Sequence, residues 1–262
     1  MTIIEAVILG ILQGFTEFLP VSSSGHLLLL QRIFGIEEGL LTFSIVVHIA
    51  TIIPVLYVYY GRIKPLVKNP FQKMTLLLIL GTLPTVIAAL LFSDLIDELF
   101  TGDYLAYGFI VTGIILLISD KYNDDVKNTD EITRKDAFFI GLTQAVAIMP
   151  GISRSGSTLF GALFRGIDRQ SALTFSFLLS IPAIAGATVL EINQLLSGYT
   201  EIEFLFTAPV VIGFFTAMIC GYLAIKLMLK IVAASKLSWF AYYLIAVAVL
   251  ILADRHITNL VF

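Results

Sequence analysis

Five residues of this chain recur at one fixed offset. Gly10, Gln13, Ser22, Ser24 and Gly25 reappear as Gly141, Gln144, Ser153, Ser155 and Gly156, each 131 positions later, and the tetrapeptide LTFS at 41–44 returns at 173–176. Each copy opens with two apolar arms, 2–19 and 26–34 in the first half and 137–149 and 155–165 in the second. None of the arms has the roughly 20 uninterrupted apolar residues needed to cross a bilayer. In the first copy Gln13 and Glu17 interrupt the run before a turn at Pro20–Gly25. The pattern predicts a re-entrant helical hairpin over about 2–35 and another over about 137–165. Full spans are expected after each, at about 40–60, 74–93 and 104–119, then at about 170–190, 204–226 and 237–253.

The expected fold is thus an all-α integral membrane protein, a single membrane domain over 1–262 with six transmembrane helices and two re-entrant hairpins. Residues 1–120 form the first repeat, 121–136 a charged, solvated loop between the halves, and 137–262 the second repeat. Three spans per half is an odd number of crossings, so the second copy enters the bilayer upside down, an inverted-topology repeat. Composition agrees: 58% of residues are hydrophobic, 13% are charged and the mean hydropathy is +0.96, outside the range of soluble domains. Basic loops prefer the cytoplasm. Arg62, Lys64, Lys68 and Lys73, the loop 121–136, and Lys226, Lys230 and Lys236 are therefore expected inside, with the acidic stretches 94–103 and 191–203 outside. Both termini are then expected outside the cell membrane. The N-terminus lacks a basic region and a small-residue cleavage site, so no removable signal peptide is expected. The net charge of -3 and 16 dispersed basic residues suggest no nucleic-acid surface. The lone Cys220 excludes an intrachain disulfide and is read as helix packing.

The inverted repeat predicts that the hairpin tips meet, SSSGH at 22–26 against SRSGST at 153–158. Irregular backbone at membrane depth is tolerated only where it is buried in protein or lines a cavity. The segment PGISRSGST, Pro150–Thr158, offers hydroxyls of Ser153, Ser155, Ser157 and Thr158, amides freed by Gly151 and Gly156, and the guanidinium of Arg154. This donor-rich cationic surface suits a phosphate, more so if a helix starts near Ser155 and aims its positive end there. The competing reading is a plain loop whose arginine snorkels to lipid. Gln13 and Glu17 are four residues apart and share a helix face. A carboxylate at the bilayer centre costs about 2.5–3.5 kcal/mol on insertion scales and is usually functional or paired. Arg154 is its obvious partner, whether in a site or in a structural ion pair. His26, directly after SSSG, is a candidate proton carrier. For His48, inside the first full span, a hydrogen bond to a neighbouring helix is favoured over a cavity role. Nothing is expected of His256.

QGFTEFLPVSSSGH (13–26) and PGISRSGST (150–158) resemble the two signature segments of the undecaprenyl-diphosphate phosphatase family, also known for bacitracin resistance. Both match in order, and the resemblance covers the whole chain. It maps the first signature onto Gln13, Glu17, Ser22, Ser23, Ser24 and His26, and the second onto Pro150–Thr158. It implies hydrolysis of the terminal phosphate of a polyprenyl diphosphate in the membrane, the protein acting as a monomer or homodimer. In that frame Arg154, with the Ser153 and Thr158 hydroxyls, clamps the diphosphate, Ser23 attacks in line, and Glu17 activates Ser23. His26 protonates the leaving group or activates water, or itself attacks. Ser22, Ser24, Gly151, Ser155 and Gly156 complete the expected substrate-binding turns. Many members carry glutamate where this chain has Gln13, so a divalent cation such as Mg2+ or Ca2+ held by Glu17 and the Gln13 carbonyl is an open expectation. The site is expected to face the extracytoplasmic side. A transporter or flippase of a phosphate-headed lipid or small anion is the alternative, since such proteins also use inverted repeats with broken helices.

Overall fold

The computed structural model describes residues 1–36, 38–122, 127–197, 205–233 and 237–261, with backbone alone at 97, 193–197, 233 and 258. Among them are twelve α-helices. The first half holds α1 (Ile3–Phe18), α2 (Ser23–Phe34), α3 (Leu40–Val58), α4 (Tyr60–Lys68), α5 (Lys73–Leu91), α6 (Ser93–Leu99) and α7 (Leu105–Ser119). The second holds α8 (Arg134–Val146), α9 (Arg154–Phe164), α10 (Arg169–Ser197), α11 (Ala208–Ala233) and α12 (Ser238–Ala253). Five stretches are long and apolar enough to cross a membrane: Leu40–Val58, Lys73–Leu91, Arg169–Ile192, Ala208–Val232 and Ser238–Ile257. The protein is an all-α membrane protein. The sixth expected span, α7, is apolar but has 15 residues, about 22 Å at 1.5 Å per residue, short of the roughly 30 Å hydrocarbon core.

Four short helices lie where the arms are read. α1 has 16 residues, α2 12, α8 13 and α9 11. α1 and α8 begin with the same capping box, one offset apart. Thr2 Oγ1 accepts from the Glu5 amide and the Glu5 carboxylate from the Thr2 amide; Thr133 and Asp136 repeat the exchange. Turns made by Pro20 and by Pro150–Gly151 then reverse the chain, Gly151 at a φ of +84° that favours glycine.

Packing between the halves is reciprocal. α1 lies against α11, and its repeat-equivalent α8 lies against α5. A Cβ on Gly10 would stand 2.8 Å from the carbonyl oxygen of Gly213, and one on Gly141 would strike the carbonyl of Gly81. The two glycine pairs carry the two backbone contacts that bury the hairpins' first arms. Around them Phe18 meets the edge of Phe177 at 5.5 Å between ring centroids, with Tyr59 on the other side. Outward, Ile79, Leu90, Leu91, Val249 and Leu250 stay exposed, as a lipid-facing surface requires.

Two connections differ from expectation. The stretch after Tyr59 is helix α4, and the acidic stretch after Phe92 is helix α6. The charged loop 121–136 is not simply solvated; residues 123–126 of it lie outside the described residues. Thr129, Ile132 and Asp136 are buried, and the Lys127 backbone pairs with that around Ile167. Asp136 accepts from Lys127 Nζ at 3.1 and 3.2 Å, Arg165 Nε at 2.7 Å and Thr133 Oγ1 at 2.7 Å. This ties the start of α8 to the end of α9 and closes the open end of the second hairpin. A mixed-charge sequence looks solvated when its partners lie about thirty residues away. The expected outer loop 191–203 is helical to Ser197; its remainder and Lys236 fall outside the described residues.

Gly141→Leu and Gly10→Leu should each cost about 1–3 kcal/mol through overpacking and lower the melting temperature in detergent. Gly186→Leu, with nothing within 4 Å of its Cβ position, should not. For Asp136, burial raises the carboxyl pKa, but bonds from Thr133, Arg165 and Lys127 prevail and hold it at about 2, below its ordinary 3.8. Its stabilisation is therefore complete above about 4 and lost as pH falls through about 2. Asp136→Asn should lower the melting temperature by roughly 5 °C at neutral pH, and the gap from wild type should close between those two pH values.

Candidate active site

Three elements deliver one cluster. α1 ends at Phe18 because Pro20 follows, leaving Glu17 in its last turn, buried at 7% exposure beside fully buried Gln13. Each second arm begins with a serine cap. Ser22 Oγ accepts from the Gly25 amide at 3.3 Å, and Ser153 Oγ from the Gly156 amide at 3.1 Å. In both turns the cap hydroxyl also meets the serine two residues on, Ser24 at 3.4 Å and Ser155 at 3.1 Å. The two turns share one S-x-S-G scaffold, and the variable residue is the first of its helix: Ser23 in one copy, Arg154 in the other.

Those two residues grip the same carboxylate. Ser23 Oγ donates to Glu17 Oε2 at 2.6 Å, Arg154 Nη2 donates to Glu17 Oε1 at 2.7 Å, and Gln13 Nε2 donates to Oε2 at 3.0 Å. Ser155 Oγ donates to the Leu19 carbonyl at 3.0 Å, a second tie between the hairpins. Two buried polar atoms at the cluster have no hydrogen-bond partner: Arg154 Nη1 and Gln13 Oε1. A buried unpaired guanidinium nitrogen is costly, so this half of the fork is available to an acceptor that the protein does not supply.

The expected clamp hydroxyls are engaged elsewhere. Thr158 Oγ1 is fully buried, within bonding distance of the Arg154 carbonyl at 2.9 Å and Ser176 Oγ at 2.6 Å. The single proton of Ser155 goes to Leu19, so Ser153 must spend its own on Ser155. Gly151 is pressed onto α7, where its carbonyl accepts from Thr112 Oγ1 at 2.9 Å. His26, three residues after Ser23 on α2, bonds groups other than Glu17 and Arg154. Its Nδ1 lies 2.8 Å from the Ser22 carbonyl and its Nε2 2.8 Å from the Tyr243 hydroxyl, with the ring packed on Phe109 and stacked on Tyr243. His48 is brought to that carboxylate, its Nε2 3.8 Å from Glu17 Oε2. The sequence signal was weak: a histidine within a span, four residues after Ser44, whose carbonyl takes its Nδ1 at 2.8 Å.

Residues 6–250 match the family described as bacitracin resistance protein BacA. The chain belongs to that family. It is 46% identical over 253 residues to an undecaprenyl-diphosphatase of Carboxydothermus hydrogenoformans, covering 96% of this chain and 97% of the relative. Undecaprenyl-diphosphatase 4 of a Bacillus cereus strain is 44% identical with the same coverage. An undecaprenyl-diphosphatase of Halothermothrix orenii is 40% identical over 97% of this chain and 99% of its own length.

Among its described residues this BacA chain builds no dedicated all-protein cage for a divalent cation. No group of three or more His, Cys, Asp or Glu side chains stands together among the described residues. Glu17 is the cluster's one carboxylate, and both its oxygens already accept hydrogen bonds from Ser23, Gln13 and Arg154. A hard dication asks for about six or more oxygens. Tyr243→Phe should cost about 1 kcal/mol by removing the partner of His26 Nε2, read as a lower melting temperature. Turnover should stay within about threefold, since Tyr243 lies outside the Glu17 cluster.

Proposed function

We infer that this chain is a membrane phosphatase acting on undecaprenyl diphosphate, releasing inorganic phosphate and the monophosphate lipid carrier. The observation that carries the reading is the unpaired Arg154 Nη1, buried beside a serine whose hydroxyl already bonds a carboxylate. Phosphoryl transfer needs a nucleophile, a proton acceptor and cationic donors on the transferring oxygens. Ser23 is the nucleophile, Glu17 Oε2 takes its proton, and Arg154 Nη1 binds a terminal phosphate oxygen while Nη2 keeps Glu17 in place. The Ser23 oxygen bonds to the terminal phosphorus as the bridging P–O bond breaks, and the lipid monophosphate leaves. Water then attacks the phosphoserine, the phosphorus–serine bond breaks, and Ser23 recovers its proton.

Arg154, rather than the Ser153 and Thr158 hydroxyls, carries the clamp, because those hydroxyls are committed to the turn. The positive ends of α2 and α9, beyond the amides that the Ser22 and Ser153 caps already occupy, favour an anion in addition. The substrate's prenyl tail remains in lipid against the exposed apolar flanks. The halves 1–120 and 137–262 are read as inverted copies, supported by the exchanged packing of α1 on α11 and α8 on α5. The charge bias puts the termini and the mouth of the site on the extracytoplasmic face. A transporter reading leaves the Ser23–Glu17 bond without a use and is not favoured.

The test is phosphate release from undecaprenyl diphosphate by purified protein. Ser23→Ala and Arg154→Ala should each reduce release by about 10²–10³-fold or more in protein that remains folded, and Arg154→Ala should also lower the melting temperature by leaving the buried Glu17 carboxylate without its cation. Undiminished release in both folded variants would end the assignment.

A further inference from the structure

His48 is held through one ring nitrogen by its own helix, and its other ring nitrogen faces the Glu17 cluster. It sits in mid-α3, 19% exposed, with Nδ1 2.8 Å from the Ser44 carbonyl and 3.3 Å from Ser44 Oγ. A carbonyl can only accept, so Nδ1 carries the proton, and Nε2 of the neutral ring is a bare lone pair. That lone pair faces Glu17 Oε2, itself an acceptor, at 3.8 Å. Two acceptors turned toward each other are stabilised when a proton lies between them or on the ring. The oxygen they share the space with is the one Ser23 Oγ bonds at 2.6 Å.

We propose that His48 is the proton relay of the phosphatase site, taking from Glu17 the proton that Glu17 takes from Ser23. The inference rests on the reading of Ser23 and Glu17 given above. As the Ser23 oxygen bonds to phosphorus and the bridging P–O bond breaks, the hydroxyl proton moves to Glu17 Oε2 and on to His48 Nε2, directly after a closure of about 1 Å or through one water. The carboxylate is thereby restored as an acceptor. When water attacks the phosphoserine, Glu17 takes one water proton, the departing Ser23 oxygen is reprotonated, and His48 releases its proton to water. An imidazole is the side chain that ordinarily changes charge between about pH 5 and 8, which suits it to hold a proton for the length of one turnover.

The charged surroundings are few. Glu17 of α1 faces the ring, Arg154 of α9 lies beyond Glu17, and Glu191 of α10 is within electrostatic reach of both His48 and Glu17. α11 packs on α3 through Gly213 against Phe43 and Gly221 against Pro54, and its Lys226 lies over the Tyr222 ring. Arg62, Lys64 and Lys68 of α4 follow the far end of α3.

His48→Asn keeps an amide donor for the Ser44 carbonyl but offers no titratable nitrogen to Glu17; His48→Gln is the second variant should the first not melt like wild type. With purified protein and undecaprenyl diphosphate, kcat should fall ~10²-fold and KM should stay within about threefold. The acid limb of the kcat–pH profile should lose one ionisation and move to lower pH. A folded variant with the wild-type kcat and acid limb would show that His48 only braces its own helix, and would overturn the proposal. Wild-type protein that releases no phosphate, or Ser23→Ala that releases it normally, would instead refute the phosphatase reading beneath it.

Discussion

The Glu17 carboxylate is the constraint around which the chain closes. A single anion at 7% exposure in an apolar protein is sustained only by donors brought from elsewhere. It draws one from its own helix, Gln13, one from the neighbouring arm, Ser23, and one from the opposite half of the chain, Arg154, 137 residues away. The last of these obliges the two hairpins to meet. Ser155 on Leu19 repeats the tie in neutral form, so the hairpins remain joined where the charges are needed for chemistry.

The repeat explains how such a site arises from so little sequence. Two copies of one capped turn give two helix starts of the same shape, and a single position, occupied by Ser23 in one and Arg154 in the other, separates the proposed nucleophile from the proposed clamp. Most of what is shared between the copies is structural: the cap serines, the capping boxes at Thr2 and Thr133, and the glycine pairs that let α1 and α8 approach their partners; Gln13, matched by Gln144, is shared and also bonds Glu17. What is unshared is chemical. Glu17 has Ile148 as its counterpart and Ser23 has Arg154, so an arrangement with internal symmetry supports a reaction with none.

The all-α membrane class, five of the six expected spans and the meeting of Gln13, Glu17, Ser23 and Arg154 were legible because each rests on local pattern: interrupted apolar runs, i to i+4 spacing, and a recurrence at fixed offset. Two features were not. His26 reads as a proton carrier from its neighbours in sequence, but its rotamer is set by Phe109 and Tyr243, which are far along the chain and reach it only through tertiary packing. His48 reads as bland for the converse reason, since its significance lies in a carboxylate on another helix. Likewise the hydroxyls of Ser153, Ser155 and Thr158 look like free donors in a string of letters. The partners that take their protons, among them Ser155 Oγ and the Leu19 carbonyl, appear only once the chain is folded. The buried Asp136 clasp was hidden by the same effect, one of its two cations, Arg165, being supplied across a hairpin.

A guanidinium that holds a base with one prong and leaves the other unpaired also links the two halves of the proposed reaction. While Glu17 is ionised, Arg154 Nη2 is bound to it and Nη1 alone faces an incoming phosphate oxygen. Once Glu17 accepts the Ser23 proton its charge is gone, and its hold on Nη2 weakens to that of a neutral hydrogen bond, roughly half as strong. The released positive charge is then free to turn toward the transferring phosphoryl oxygens at the moment their charge redistributes. Proton removal from the nucleophile and stabilisation of the phosphoryl group would thus be coupled through a single side chain. A lysine would bring a single compact charge in place of two fixed prongs.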